Sequence, residues 1–363
     1  LKYLWIKIMA YSSIIKPTEY FDTTLITGNG STQNITGLGF QPDWIWYKRR
    51  NATGHHRLID SVRGSDKLIQ TDLTNAEGTD ATYVTSFNSD GWSIGSNTDV
   101  NASGGTTVAW SWRAGGSASS NGNGSITSSV SANTTSGVSI VTYTGTGSVA
   151  TVGHGLGVAP KLIIVKTRSL SGEAWPVDSR AASGIAYLNE TGGTGSYGDS
   201  SPFPSTAPTS TVFSIGTPNN TNGSGATYVA YCFAEVKGFS QFGTYQGVND
   251  TGTAGSINDV FVYTGFKPAF LLLKKYNSSG TGWFIFDNKR DDDNPISSFL
   301  MPQAANNEDS SLTRAFDLLS NGFKSRGNSD DTSGAGSSYL YAAFAENPFV
   351  GNDSGTAVPV TAR

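Results

Sequence analysis

Three acid–base pairs recur at matched places along this chain: Asp60 with Arg63, Asp178 with Arg180, and Asp287 with Arg290. A carboxylate and a guanidinium two or three residues apart can hydrogen-bond a sugar or a neighbouring subunit. The same spacing also suits a plainer role, in which Asp caps a turn and Arg pins the loop that follows. Repetition follows from fold as readily as from function, so the turn-capping role is the expectation and the ligand role its alternative.

Other reactive side chains point to less. His55 and His56 are adjacent with no third ligand at metal spacing, and His154 is the only other histidine, so polar surface is expected of the His55–His56 loop rather than a metal or a general base. Asp291, Asp292 and Asp293, like Asp330 and Asp331, offer carboxylate oxygens, but calcium takes roughly six to eight oxygens and no Asp-x-Asp-x-Asp-Gly loop is present. Gly145 to Gly147 and Gly153 to Gly157 are not followed by a helical pattern, so they read as hairpin turns rather than a phosphate cradle. There is no serine elbow, and no matched carboxylate pair of the kind a glycosidase holds about 5–9.5 Å apart. The expectation is a non-enzyme with no metal and no cofactor.

Aromatic residues carry the remaining interest. Trp44/Trp46, Trp110/Trp112 and Tyr339/Tyr341 alternate at period two, which puts each pair on one sheet face and in a core. Trp92, Trp175 and Trp283 lie nearer predicted loops, which makes them the candidates for stacking on a sugar.

The elements that must position these residues announce themselves by repetition. Gly39-Phe-Gln-Pro42-Asp-Trp-Ile-Trp-Tyr-Lys48, Gly157-Val-Ala-Pro160-Lys-Leu-Ile-Ile-Val-Lys166 and Gly265-Phe-Lys-Pro268-Ala-Phe-Leu-Leu-Leu-Lys274 are one phrase written three times. After each copy come the Asp/Arg pair, an aromatic strand opening (Gly91-Trp92, Val212-Phe213, Gly322-Phe323) and a closing strand of small and aromatic residues. Such self-similarity marks repeat architecture. Four apolar residues behind a Pro read as a strand buried on both faces. With turn signals every ten residues or so, they predict an all-β chain of three tandem related β-sandwich units. Ser311 to Leu319 is the best helix candidate, with a strand matching Tyr83 to Phe87 as its alternative.

The boundaries expected are a lead-in at 1–23, units at 24–116, 138–236 and 237–350, a Gly/Ser/Asn-rich linker at 117–137 and a tail at 351–363; within the linker, Ser125 to Thr135 alternates polar and apolar residues and is a candidate edge strand. Residues 1–8 read as an over-extended frame, because Met9-Ala10-Tyr11 looks like an ordinary start. In 363 residues, charged side chains are 14% and the net charge is −4, so the clustered basic footprint of a nucleic-acid binder is missing. Cys232 is the only cysteine, which excludes an intrachain disulfide and a cysteine-based zinc site. No run approaches the roughly 20 apolar residues of a membrane span, so no membrane insertion is expected.

Taken together, Ile26-Thr-Gly-Asn-Gly30, Ile35-Thr-Gly-Leu-Gly-Phe-Gln-Pro42-Asp43, Asp60-Ser-Val-Arg-Gly64, Ser86-Phe-Asn-Ser-Asp-Gly91, Tyr143-Thr-Gly-Thr-Gly147, Gly153-His-Gly-Leu-Gly157 and Ala345-Glu-Asn-Pro-Phe349 resemble a repeat-domain family of marine tailed-phage structural and tail-fibre-like proteins. The resemblance covers nearly the whole chain from Met9 onward. It implies units of the jelly-roll or concanavalin-like class in a virion structural protein made in the host cytoplasm, a tail-fibre or capsid-decoration component. Its partners would be other virion proteins, further copies of itself and host cell-surface glycans. A carbohydrate-binding array is the alternative, a glycan depolymerase the third reading. No site residues come with the resemblance.

Overall fold

The computed structural model describes residues 12–248, 252–257 and 259–348. The expected over-extended start at 1–8 and the tail at 351–363 lie outside the described residues.

The fold is all-β, and one strand order recurs three times. The first sheet runs Phe21–Thr27, Thr106–Trp112, Trp44–Arg49, Arg57–Asp60 in space, every neighbour antiparallel. Ser240–Gln246, Ser338–Pro348, Phe266–Lys275 and Trp283–Asp287 repeat that order near the end of the chain. Between them, Val138–Thr144, Thr227–Phe233, Leu162–Thr167 and Pro176–Ser179 repeat it inside a seven-stranded sheet. A smaller antiparallel sheet accompanies each: Gln33–Thr36, Gly91–Ile94 and Val84–Asn88; Ala150–Gly153 with Val212–Ile215; and Phe261–Tyr263, Gly322–Ser325 and Phe316–Leu319. Among the described residues α-helix is confined to the single turns Thr98–Asn101 and Asn219–Asn222.

The repeated phrase owes its composition to this arrangement. Gly39, Gly157 and Gly265 have φ of 75°, 75° and 76°, a left-handed conformation that residues with a Cβ rarely adopt. Pro42 and Pro160 precede their strands. Pro268 instead lies within Phe266–Lys275, where the register against Ser338–Pro348 shifts on either side of it. A break in the ladder is where a sheet tolerates a residue without an N–H.

Period-two alternation explains why the apolar runs are continuous. Trp44 and Trp46 face a central cluster, while Ile45 and Tyr47 face a local one with Ile59, Trp92 and Ala109. Leu162 and Ile164 also face the central cluster, and Ile163 and Val165 join a second local core with Phe213 and Cys232. Both faces of each strand therefore lose water, and no polar position interrupts the run.

The central cluster is built by all three repeats. Trp44 stacks on Trp112 at 4.3 Å and on Tyr231 at 4.5 Å between ring centroids. Phe344 meets Phe21 at 5.5 Å, Trp112 at 5.6 Å and Phe233 at 5.8 Å. Aromatic pairs at these separations contribute about 0.5–1.5 kcal/mol each beyond their burial. The three repeats thus share one aromatic core.

Two expectations about local structure change. The stretch 117–137, read as a linker, supplies the strands Ser119–Asn121 and Ser128–Asn133 to the seven-stranded sheet. The alternation within Ser125 to Thr135 does mark the second of these strands, while the Gly- and Ser-rich run around Ser119–Asn121 suits a sheet margin as well as a flexible connector. Ser311 to Leu319 is not an α-helix. One 3-10 turn, Leu312–Arg314, leads into the strand Phe316–Leu319, which takes the place of Val84–Asn88.

Candidate functional site

Two of the three repeated acid–base pairs form the same buried device. Asp60 ends its strand, and its Oδ1 accepts the backbone N–H groups of Val62 and Arg63, closing the turn. Its Oδ2 accepts from Arg63 Nε at 2.5 Å, and both side chains are 0% exposed. Arg63 Nη2 reaches back to the Leu58 carbonyl. In the third repeat Asp287 closes the turn through the N–H groups of Lys289 and Arg290, pairs with Arg290 Nε at 2.6 Å, and Arg290 Nη2 reaches the Ile285 carbonyl. Burial alone would push Arg63 down, but Asp60, Tyr231 and Glu77 hold its guanidinium well above the usual value. Arg290 is likewise raised against its burial by Asp287 and Glu308.

Each device ties two repeats together. Glu77 takes Arg63 Nη1 on one side and the Nε and Nη2 of Arg168, in the second repeat, on the other, all at 2.9 Å. Glu308 takes Arg290 Nη1 at 3.1 Å and the Nε and Nη2 of Arg50, in the first repeat, at 3.0 and 2.8 Å. An aromatic donor from the neighbouring closing strand completes each: Tyr231 Oη to Asp60 at 2.8 Å, and Trp110 Nε1 to Asp287 at 3.0 Å.

Among the described residues, the junction between the second and third repeats lacks this device. Ala342, opposite Leu272, holds the register position that Tyr231 holds opposite Ile164 and Trp110 opposite Trp46. Asp178 therefore accepts from Tyr197 of its own repeat at 2.8 Å, and Arg180 lies over that ring at 3.9 Å with its Nη groups on the carbonyls of residues 204–206. Burial raises the Asp178 carboxyl, which Arg180 and Tyr197 only partly offset. This junction is held instead by Trp283 Nε1 on the Tyr187 carbonyl, Thr194 N–H on the Tyr276 carbonyl and Gly280 N–H on the Thr191 carbonyl.

The lysine that closes the repeated phrase is buried in all three copies. Lys48 donates to the Ala305 carbonyl of the third repeat, Lys166 to the Thr74 carbonyl of the first, and Lys274 to the Thr281 carbonyl. Burial pushes each amine down to about 8. His56 is not the polar surface expected: it is fully buried, accepts from Trp46 Nε1 at 2.9 Å, and burial holds its ring well below the usual histidine value. His55 pairs with Asp72 at 2.6 Å.

The tryptophan candidates are corrected by their burial. Trp92, Trp175 and Trp283 are 0%, 0% and 1% exposed, so none has a ring face for a sugar. Trp92 fills the first local core, and Trp175 and Trp283 sit at junctions with their indoles on the Leu73 and Tyr187 carbonyls. Burial likewise removes Asp60, Arg63, Asp287 and Arg290 as free ligands. The loop acids have protein partners: Asp291 caps Ser297 and Ser298, Asp330 pairs with Lys275 and Asp331 with Arg314. Among the described residues no group of three or more His, Cys, Asp or Glu is placed to hold a metal. Cys232 is buried, and burial pushes its thiol well up.

Sequence reasoning missed Glu77, Glu308, Arg50, Arg168 and the role of the three lysines. A signal existed in Lys48-Arg49-Arg50 and Lys166-Thr167-Arg168, where Arg follows the phrase by two residues. In the third copy Tyr276 stands there.

A family model described as a domain of unknown function (DUF7483) matches residues 16–348. The chain belongs to the DUF7483 family. That match contains all three copies of the phrase, so the DUF7483 domain comprises the three repeats together, as the shared core requires. No curated protein and no solved structure matches.

Proposed function

We propose that this chain is a non-enzymatic structural protein of a tailed-phage virion, a tail-fibre or capsid-decoration component that acts in assembly or host-surface attachment. Each repeat is read as a β-sandwich module of the jelly-roll or concanavalin-like class. The observation that carries the reading is the inward direction of the repeated chemistry. Two of the three Asp/Arg pairs, the phrase lysines and the large aromatics are buried between repeats or beneath their sheets, where they build a rigid body and do not present a reaction centre. The virion setting comes from the resemblance of the repeated phrases. Its partners would be other virion proteins and further copies of the chain, assembled in the host cytoplasm.

Mass spectrometry of purified particles, with copy number, tests the proposal. A stoichiometric presence supports it, and the copy number separates fibre from decoration. Absence from particles would remove the virion reading.

A further inference from the structure

We propose that a cavity of the third repeat, bordered on one side by Thr191 of the second, binds a single neutral pyranose of a glycan. It rests on the attachment reading only for its biological setting. The cavity has a volume of about 270 Å³ and opens at the junction that lacks the buried Asp–Arg–Glu device. That is room for one ring, just under the roughly 300–1,000 Å³ of pockets that hold drug-sized ligands. Phe284, Phe299 and Met301 supply an apolar lining, and Gln303, Arg314 and Asp331 supply polar groups. A pyranose has the same two-sided chemistry, with C–H faces and a hydroxyl rim.

The polar groups are held ready. Gln303 Oε1 accepts the Trp283 N–H at 2.9 Å, which fixes the amide and leaves Nε2 with no protein partner among the described residues. Arg314 lies over Phe284 and Phe299 at 5.5 and 5.3 Å and binds Asp331 through Nε and Nη2, leaving Nη1 without a protein partner among the described residues. Asp331 Oδ1 carries only a long 3.4 Å contact from Thr281. Two donors and one acceptor therefore line a small apolar-backed recess without reorganisation, the condition under which weak polar contacts add affinity. Asp309 also lines the cavity. With Asp331 against one Arg the lining is net acidic, which favours a neutral sugar over a uronate.

Saturation-transfer NMR on the full chain tests the site, with glucose, galactose, mannose and N-acetylglucosamine as probes and glucuronate as the charged comparison. At least one neutral sugar should bind saturably. Gln303→Glu, which keeps the acceptor for Trp283, and Arg314→Lys, which keeps the charge, should each weaken it about tenfold, the effect of one lost hydrogen bond. Unchanged melting of both variants would separate that loss from misfolding. No binding by any neutral sugar, tighter binding of glucuronate, or wild-type binding by both variants overturns the site. A chain that binds sugar but is missing from virions keeps the site and loses only its setting.

Discussion

The hydroxyl of Tyr231 donates to Oδ2 of Asp60 at 2.8 Å although the two residues are 171 positions apart. Trp110 stands in the same relation to Asp287, at 3.0 Å and 177 positions. A turn-capping carboxylate in one repeat is thus also the hydrogen-bond acceptor for an aromatic donor of another. Asp60→Asn or Asp287→Asn leaves a fully buried guanidinium short of its countercharge, which should cost about 3–5 kcal/mol in urea unfolding. Asp178→Asn should cost less than about 2 kcal/mol, because Arg180 is partly exposed and bonded to carbonyls.

Glu77 and Glu308 each bridge two arginines from different repeats. Burial disfavours charge on Glu77, yet Arg168 and Arg63 hold its carboxyl below the usual range. Glu77→Gln and Glu308→Gln should each lower stability by about 1–3 kcal/mol, the range for losing hydrogen bonds to charged groups. Equilibrium denaturation of each variant beside the wild type measures it.

Stability should rise with pH through the window from about 8 to 10. Lys48, Lys166 and Lys274 are pushed down to about 8 by burial, against roughly 10.4 in an unfolded chain. Across that window the unfolded state binds more protons, so raising the pH favours the fold. Above about pH 10 the trend reverses, because burial raises tyrosines such as Tyr231 and Tyr245 above their usual value and they resist ionisation in the folded state. Thermal melts at pH 7.5, 9 and 10.5 test this, and Lys166→Met should flatten the rise.

Trp92→Ala, Trp175→Ala and Trp283→Ala should act on stability and not on binding. Each removes a fully buried ring, at about 3–5 kcal/mol. Trp175→Phe should cost less, losing mainly the bond to the Leu73 carbonyl. Melting and sugar titration of the same variants check it.

Much of this fold was legible because the local signals agree. Gly-x-x-Pro followed by four apolar residues specifies a turn and a doubly buried strand, and the structure supplies a reason for each position. The placement of Trp92, Trp175 and Trp283 was not legible. A tryptophan near a turn signal reads the same whether the turn meets solvent or another repeat. Nor could Ala342 be seen to break the pattern of Tyr231 and Trp110, since the closing strand of the third repeat carries Tyr341 one position away. The candidate sugar cavity joins Gln303 and Arg314 to residues of two repeats, a juxtaposition that no spacing encodes.

The three repeats fold as one body around a shared aromatic core. Differential scanning calorimetry of the full chain tests it most directly. One transition with equal calorimetric and van't Hoff enthalpies is predicted. Two or three resolved transitions, each assignable to a repeat, would contradict it.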